Sequence, residues 1–248
     1  MTMHNTRFGL VGKTLKHSFS KQYFSDKFEQ LHLTHHTYSN FELESLEQLE
    51  FFCKNTAREL SGFNVTLPYK EQIIPFLDDL DLHAKAIGAV NTVVVKNRRL
   101  IGYNTDFEGF KSSILPYLPA LPTKALILGT GGASKAVAYT FKTLGIPYHF
   151  VSRNPDKGLT YDILNQEIMT EYLLIINTTP IGMFPNIDQC PDIPYQFLSS
   201  QHLLYDLVYN PAPTTFLKKG KIQGAQILNG LKMLELQAEK AWEIWNQA

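Results

Sequence analysis

Over the first hundred residues, apolar and polar positions alternate between two patterns. Short β-branched or alternating runs at 7–12 (RFGLVG), 35–41 (HHTYSNF), 62–66 (GFNVT) and 91–97 (NTVVVKN) predict strands. Between them, LESLEQLEFFCKN sets Leu46, Leu49 and Phe52 or Cys53 at helical spacing. ILPYLPALPTK then brings Pro116, Pro119 and Pro122 close together, which stops a helix and predicts a connection between domains. A second α/β unit opens with KALILGTGGASKAVAYTFKTLGIPYHFVSRN: an apolar strand Ala125–Leu128, a glycine turn, a helical pattern from about Ala133 to Leu144, and a strand ending near Ser152. EYLLIINTTP, HLLYDLVYN and AQILNG supply further strands, as a parallel, doubly wound sheet requires. The closing NGLKMLELQAEKAWEIW carries Leu231, Leu234, Ala238, Ala241, Trp242 and Trp245 on one side of a helix, with Gln237 on the flank of that stripe. There Gln237 is either a boundary residue touching water or a polar group aimed into a cleft.

Composition narrows the function classes. The 248 residues are 44% hydrophobic, enough for a full core in one large domain or two ordinary ones. Lys plus Arg and Asp plus Glu both number 23, so no net field draws in nucleic acid or an acidic membrane, and the basic stretch KKGK at 218–221 reads as a solvated loop. Cys53 and Cys190 are far apart and lack histidines at ligand spacing, which suggests neither a disulfide framework nor a metal site. No stretch approaches the ~20 apolar residues of a membrane span, and the expectation is a cytoplasmic protein with a small-molecule partner.

The glycine turn carries the first chemistry. GTGGAS follows a strand and opens a helix, where Gly129 permits a tight turn and Gly131 lets the backbone approach a pyrophosphate held by the free N–H groups of the helix start. An ordinary tight strand-to-helix turn is the alternative. After the next strand comes SRNPDK: Arg153, with Ser152, Asn154 and Lys157 nearby, stands where an NAD site would place an acid, so the pattern points to the 2′-phosphate of NADP. A surface arginine in a turn is the competing reading.

Polar residues at predicted strand ends recur before the linker: Ser18 and Ser20 in KHSFSK, Thr66 and Lys70 in NVTLPYK, Asn91 in GAVNTV and Asp106 in GYNTDFEGF. Ser18 and Ser20 alternate, so on an extended segment both could donate to one carboxylate, although Ser20 could equally cap the following helix. Thr66, Asn91 and Asp106 each have a turn or cap reading as well. Lys70 and Asp106 are the pair able to move a proton: a ketone reduced by hydride becomes an alkoxide that needs one, and a lysine in a partly desolvated site can supply it. On this reading Pro68 ends the strand and the chain turns so that Lys70 faces the carbonyl.

HSFS, GFNVTLPYK, GAVNT, YNTDFEGF, GTGGASKA, INTTPIGM, DLVYNP and NGLKMLELQ follow one another in the order found in the shikimate dehydrogenase family, which the chain resembles over nearly its whole length. The resemblance implies NADPH-dependent, reversible reduction of 3-dehydroshikimate to shikimate in the chorismate route to aromatic amino acids. It implies an α/β substrate domain of residues 1–105 plus 231–248, a Rossmann-type NADP domain of residues 106–230, a cleft between them that closes by a hinge, and a monomer or homodimer. Carried over by position, Ser18 and Ser20 would bind the substrate carboxylate, and Thr66, Asn91, Tyr209 and Gln237 its hydroxyls and ring. Lys70 would be acid and base, with Asp106 holding it and a substrate hydroxyl. Gly129, Thr130, Gly131, Gly132 and Ala133 would cradle the pyrophosphate and Ser152, Arg153, Asn154 and Lys157 the adenosine phosphate. Thr178, Met183, Leu207 and Gly230 would line the nicotinamide side. The short stretch from Gly158 to Tyr172 predicts an abbreviated helix. Rival readings are a quinate or dual quinate/shikimate dehydrogenase using NAD, a non-catalytic NADPH or shikimate sensor, and a folate-type dehydrogenase of similar architecture.

Overall fold

The computed structural model describes residues 6–16, 18–118 and 123–247. The chain forms two compact units, one comprising the residues up to Thr105 together with those from Ala238 onward, the other Asp106–Gln237. Of the linker prolines, Pro116 sits in a 3-10 turn, Leu115–Tyr117, while Pro119 and Pro122 lie outside the described residues, as does His17.

The first unit is built on a mixed sheet in the order β2-β1-β3-β5-β6-β4, formed by β1 (Thr6–Gly12), β2 (His36–Glu42), β3 (Gly62–Val65), β4 (Asp79–Leu80), β5 (Thr92–Lys96) and β6 (Arg99–Tyr103). β1 pairs in parallel with β2 and β3, whereas β5 runs antiparallel to β3 and β6. Side chains alternate between the two faces, as a sheet covered on both sides requires. Val11, Phe63, Val65 and Val93 pack with Leu49, Phe52 and Cys53 on one face. Phe8, Leu10 and Val94 pack on the other with Phe24 and Phe28 of α1 (Phe19–Gln30) and with Ala238, Ala241 and Trp245 of α8 (Leu231–Gln247). The predicted helix at 43–55 is shorter than its periodicity suggests: Ser45 caps α2 (Leu46–Phe51), and a π-helical turn, Phe52–Thr56, continues it so that both Phe52 and Cys53 reach the core. A short α3 (Leu82–Ile87), capped by Asp81, completes the unit.

Trp245 fixes α8 onto this sheet. Its indole Nε1 donates to the Val93 carbonyl at 3.0 Å, and its ring stacks on Phe8 with centroids 4.6 Å apart. Gly62 makes room for it, because a Cβ there would come within 2.3 Å of the indole nitrogen. The buried face of α8 runs through Met233, Gln237, Ala238, Ala241 and Trp245, while Leu231 is exposed. Gln237 therefore lies within the stripe and not on its flank.

The second unit holds the parallel sheet β11-β10-β9-β7-β8, formed by β7 (Ala125–Leu128), β8 (Tyr148–Val151), β9 (Leu174–Asn177), β10 (Leu203–Asp206) and β11 (Gln226–Asn229). Leu126, Leu128, Ile175 and Leu204 face α6 (Gln166–Glu171) and α7 (Thr215–Ile222), while Ala125, Ile127, Leu174, Ile176, Leu203 and Tyr205 face α4 (Asp106–Ile114) and α5 (Gly132–Thr143). Helices cover both faces, which is the doubly wound arrangement. The abbreviated helix expected after Gly158 is α6, of 6 residues. KKGK, read above as a loop, lies within α7: Thr214 caps this helix, Phe216 and Leu217 are buried, and Gly220 is pressed so close to Leu204 that a Cβ would come within 2.3 Å of it.

Candidate active site

In the first unit, topology gathers the predicted substrate residues at one end of one sheet. β1 and β3 are parallel, so their carboxy-terminal ends coincide, and the antiparallel β5 begins at that same end, with Asn64 opposite Thr92. The loop after β1 carries Ser18, the turn after β3 carries Thr66 and Lys70, and Asn91 immediately precedes β5. A Cβ on Gly12 would meet the Thr66 methyl at 2.6 Å, so the first two of these segments are in contact.

The loop after β1 is tied to β2. Glu42 accepts from the Leu15 N–H at 2.7 Å, and the Asn40 amide donates to the Leu15 carbonyl at 3.1 Å. Ser18 then occupies the N-cap position of α1, yet its hydroxyl makes no capping bond; its Oγ is buried and has no hydrogen-bond partner. A buried hydroxyl left this way has lost water without replacing it, and an anionic ligand at the helix start would restore the missing bond. Ser20 sits in the first turn of α1, 8% exposed, and is hydrogen-bonded to Tyr38. The capping alternative for Ser20 is thus not realised.

Behind this end runs a buried polar network. The Tyr38 phenol, pushed well up by burial, donates to Asn64 at 2.8 Å. The Asn64 amide reaches the Asn91 carbonyl at 3.2 Å and the Thr92 hydroxyl at 3.1 Å. Asn91, 2% exposed, donates to the Thr105 hydroxyl at 2.9 Å and accepts from the Thr105 N–H at 2.7 Å. These bonds fix the Asn91 rotamer and leave few polar atoms unmatched. Lys70 is half-buried, and its carbonyl accepts from the Val90 N–H at 2.7 Å, which locks the turn bearing the ammonium against the segment bearing Asn91. Thr66 is half-buried and closes the same turn by accepting from the Tyr69 N–H at 2.9 Å.

In the second unit, Asp106 opens α4 and is 5% exposed. The order β8-β7-β9 places the sheet's switch point between β7 and β9, and in doubly wound sheets ligands bind beyond the strand ends at that point. Gly129 ends β7 with φ +106°, a left-handed conformation natural to glycine, and its missing Cβ would lie 2.8 Å from the Thr178 hydroxyl of the neighbouring loop. Gly131 caps α5 in extended conformation, and a Cβ there would meet nothing within 4 Å. Thr130 is half-buried beside it, followed by Gly132 and Ala133 in the first turn of α5. The first N–H groups of this helix are therefore open to a phosphate.

Past β8, the Ser152 hydroxyl accepts from the Asn154 N–H at 3.1 Å, and Arg153, Asn154 and Lys157 are exposed. Burial raises the Tyr161 phenol while the charge of Arg153 opposes the rise, so the guanidinium lies near that ring. On the other side of β7, Thr178 donates to the Leu128 carbonyl at 2.6 Å, Met183 is exposed, and Leu207 and Tyr209 are half-buried in the loop after β10. Gly230 is pressed against Leu207, whose carbonyl oxygen would be 2.2 Å from an added Cβ. The Gln237 amide donates to the Leu234 carbonyl at 2.9 Å. The sequence reading passed over Asn177, Asp206 and Thr214, which are fully buried and mutually hydrogen-bonded. Their signal was a polar residue ending each of two apolar strands, INTTP and DLVYNP. Burial pushes the Asp206 carboxyl up to about 6, against the downward pull of bonds from Thr214, the Val208 N–H and Asn177. Among the described residues no cluster of His, Cys, Asp and Glu could hold a metal ion, and no helix is long and apolar enough to cross a membrane.

Residues 10–93 match the family model for the shikimate dehydrogenase substrate binding domain. The chain is 37% identical to a shikimate dehydrogenase (NADP(+)) of Desulforamulus reducens over 96% of its own length and 88% of the relative's. It is 40% identical to that of Carboxydothermus hydrogenoformans, covering 96% of this chain and 90% of the other. Among solved structures it is similar to shikimate 5-dehydrogenase from Thermus thermophilus in complex with NADP(H) and shikimate, with TM-score 0.86, 32% identity and coverage of 98% and 94%. It is also similar to shikimate dehydrogenase 1 from Peptoclostridium difficile, with TM-score 0.84, 37% identity and coverage of 98% and 92%.

Proposed function

The chain belongs to the shikimate dehydrogenase family, and from that premise we infer that it catalyses the reversible, NADPH-dependent reduction of 3-dehydroshikimate to shikimate, a step of aromatic amino-acid biosynthesis. The observation that carries the cofactor half is the glycine turn: Gly129 turns the chain at the switch point, and Gly131 leaves open space before the free N–H groups of α5. Arg153, Ser152, Asn154 and Lys157 suit the adenosine 2′-phosphate, since Arg153 and Lys157 are exposed cations beside hydroxyl and amide donors. Thr178, Met183, Leu207 and Gly230 form the nicotinamide wall in this reading. The residues therefore fit NADP, which when bound supplies the hydride.

The remaining candidate residues are assigned to holding and protonating the substrate. Ser18, with its unmatched Oγ, receives the carboxylate together with Ser20. Thr66 and the rotamer-locked Asn91 meet ring hydroxyls, as do Tyr209 and Gln237. As the carbonyl carbon gains hydride, negative charge grows on its oxygen, and the Lys70 ammonium donates the proton that makes the alcohol. In the oxidation direction, Lys70 takes that proton back. Asp106 is the second member of the catalytic pair in this reading and accepts from a substrate hydroxyl. Residues 1–105 with the final helix would then be the substrate domain and residues 106–230 the cofactor domain, in a cytoplasmic monomer or homodimer.

The test is initial rate, followed by nicotinamide absorbance, with shikimate or quinate and NADP or NAD. Turnover restricted to shikimate with NADP is expected. Comparable rates with quinate or NAD would move the assignment to a dual-specificity dehydrogenase, and no turnover with any pair would overturn it.

A further inference from the structure

We propose that Asp206, which has no direct part in the chemistry described above, is a positioning residue that holds both loops of the nicotinamide wall; this rests on the function just inferred.

Asn177 and Asp206 are the last residues of β9 and β10 and stand opposite each other in the parallel register. The Asn177 amide donates to Asp206 Oδ1 at 2.9 Å. Each then ties down the loop that follows its own strand. Asn177 Oδ1 accepts from the Thr179 N–H at 3.1 Å and the Thr179 hydroxyl at 2.6 Å, and the Thr179 oxygen accepts from the Ile181 N–H at 3.3 Å. Asp206 Oδ1 accepts from the Val208 N–H at 3.0 Å, and Oδ2 accepts from the Thr214 hydroxyl at 2.5 Å.

The proton directions converge on one side chain. Asn177 spends its oxygen on Thr179, so its amide must point at an acceptor, and the Val208 N–H can only donate. A carboxylate has no hydrogen of its own and four lone-pair directions, so it receives all three donors at once. The loop after β9 carries Thr178 and Met183, and the loop after β10 carries Leu207 and Tyr209. Through Thr178, whose hydroxyl reaches the Leu128 carbonyl, the same framework is registered against the glycine turn. The segment proposed for the adenosine phosphate follows β8, on the far side of β7, and none of the bonds named above reaches it.

Removing the acceptor should therefore loosen one half of the cofactor site and spare the other. The experiment measures calorimetric binding of NADPH and of adenosine 2′,5′-bisphosphate for the wild type, Asp206→Ala and Asp206→Asn. For Asp206→Ala, stranded buried donors are expected to weaken NADPH about tenfold, while the bisphosphate stays within about twofold. Asp206→Asn keeps an oxygen for Asn177 and Val208 and offers its amide to the Thr214 oxygen, so it should restore NADPH binding to within about threefold. Unchanged NADPH affinity in folded Asp206→Ala, or a parallel loss of bisphosphate affinity, overturns the proposal. Should Asp206→Ala not fold, Thr214→Val against Thr214→Ser asks the same question: only the valine is expected to weaken NADPH, and equal behaviour overturns it. Binding is read without turnover, so a wild type that binds NADPH but does not reduce 3-dehydroshikimate would sink the functional reading separately.

Discussion

Asp206 also makes the stability of the protein depend on pH in a way that can be calculated. Its carboxyl is fully buried, and burial lifts it from the ordinary 3.8 to about 6 despite three hydrogen bonds. A folded state that holds a proton more tightly than the unfolded chain gains stability below the unfolded value and loses it as pH rises through the folded one. At about 1.4 kcal/mol per tenfold difference in proton affinity, the full loss is about 3 kcal/mol, and about half of it falls between about pH 5 and pH 7.5. Asp206→Asn cannot ionise and escapes this loss. Tyr195 feels the Asp206 charge, and burial raises its phenol, so it stays neutral across this window. With about 2–4 °C per kcal/mol for a chain of this size, the Tm of Asp206→Asn minus that of the wild type should grow by about 4 °C between about pH 5 and pH 7.5. Calorimetry of both proteins in matched buffers measures it. A difference that is flat over this range, or that shrinks as pH rises, would refute the reasoning.

Three further outcomes are expected. Lys70→Met should lower kcat by about 10²–10⁴-fold, the usual worth of a general acid, while NADPH binding measured by calorimetry persists; normal turnover would reassign the acid. Arg153→Ala should raise the KM for NADPH about tenfold and leave that for NADH almost unchanged, because only the former carries the phosphate that the guanidinium is proposed to meet. Gly62→Ala should destabilise by about 1–3 kcal/mol in urea unfolding, since the added methyl collides with the Trp245 indole and overpacks a filled site.

Some elements were readable because their sequence pattern coincides with the local physics. β7, the glycine turn, α5 and β8 announce themselves by a switch from a continuous apolar run to helical spacing across GTGG, and nothing elsewhere in the fold overrides that. α2 and α8 were only half readable. Their helical character follows from spacing, but which residues are buried depends on the partners: Leu46 and Leu231 satisfy the periodicity and are nevertheless exposed, whereas Met233 and Gln237 are buried. α7 was missed because its lysines and glycine resemble a loop, and the reason for Gly220 is Leu204, sixteen positions away on a neighbouring strand. The candidate site residues could be named from ordered motifs. What no single motif shows is the support behind them: Tyr38, Asn64 and Thr105 around Asn91, or Asn177 and Thr214 around Asp206, joined only once the chain folds back on itself.

The seating of Trp245 against Phe8 and Val93 bears on the order in which the protein can assemble. Asp106–Gln237 is one unbroken stretch of chain, so every residue of the second unit is made before Ala238. The first unit is not. Its strands are made before the second unit, but Ala238, Ala241 and Trp245 are made after it, and until then one face of its sheet lacks one of the two helices that cover it. Domains tend to fold as units during synthesis. Here the first unit is begun before the second and completed after it, and its unfinished apolar face, bearing Phe8, Leu10 and Val94, is what a chaperone acting on the nascent chain would meet.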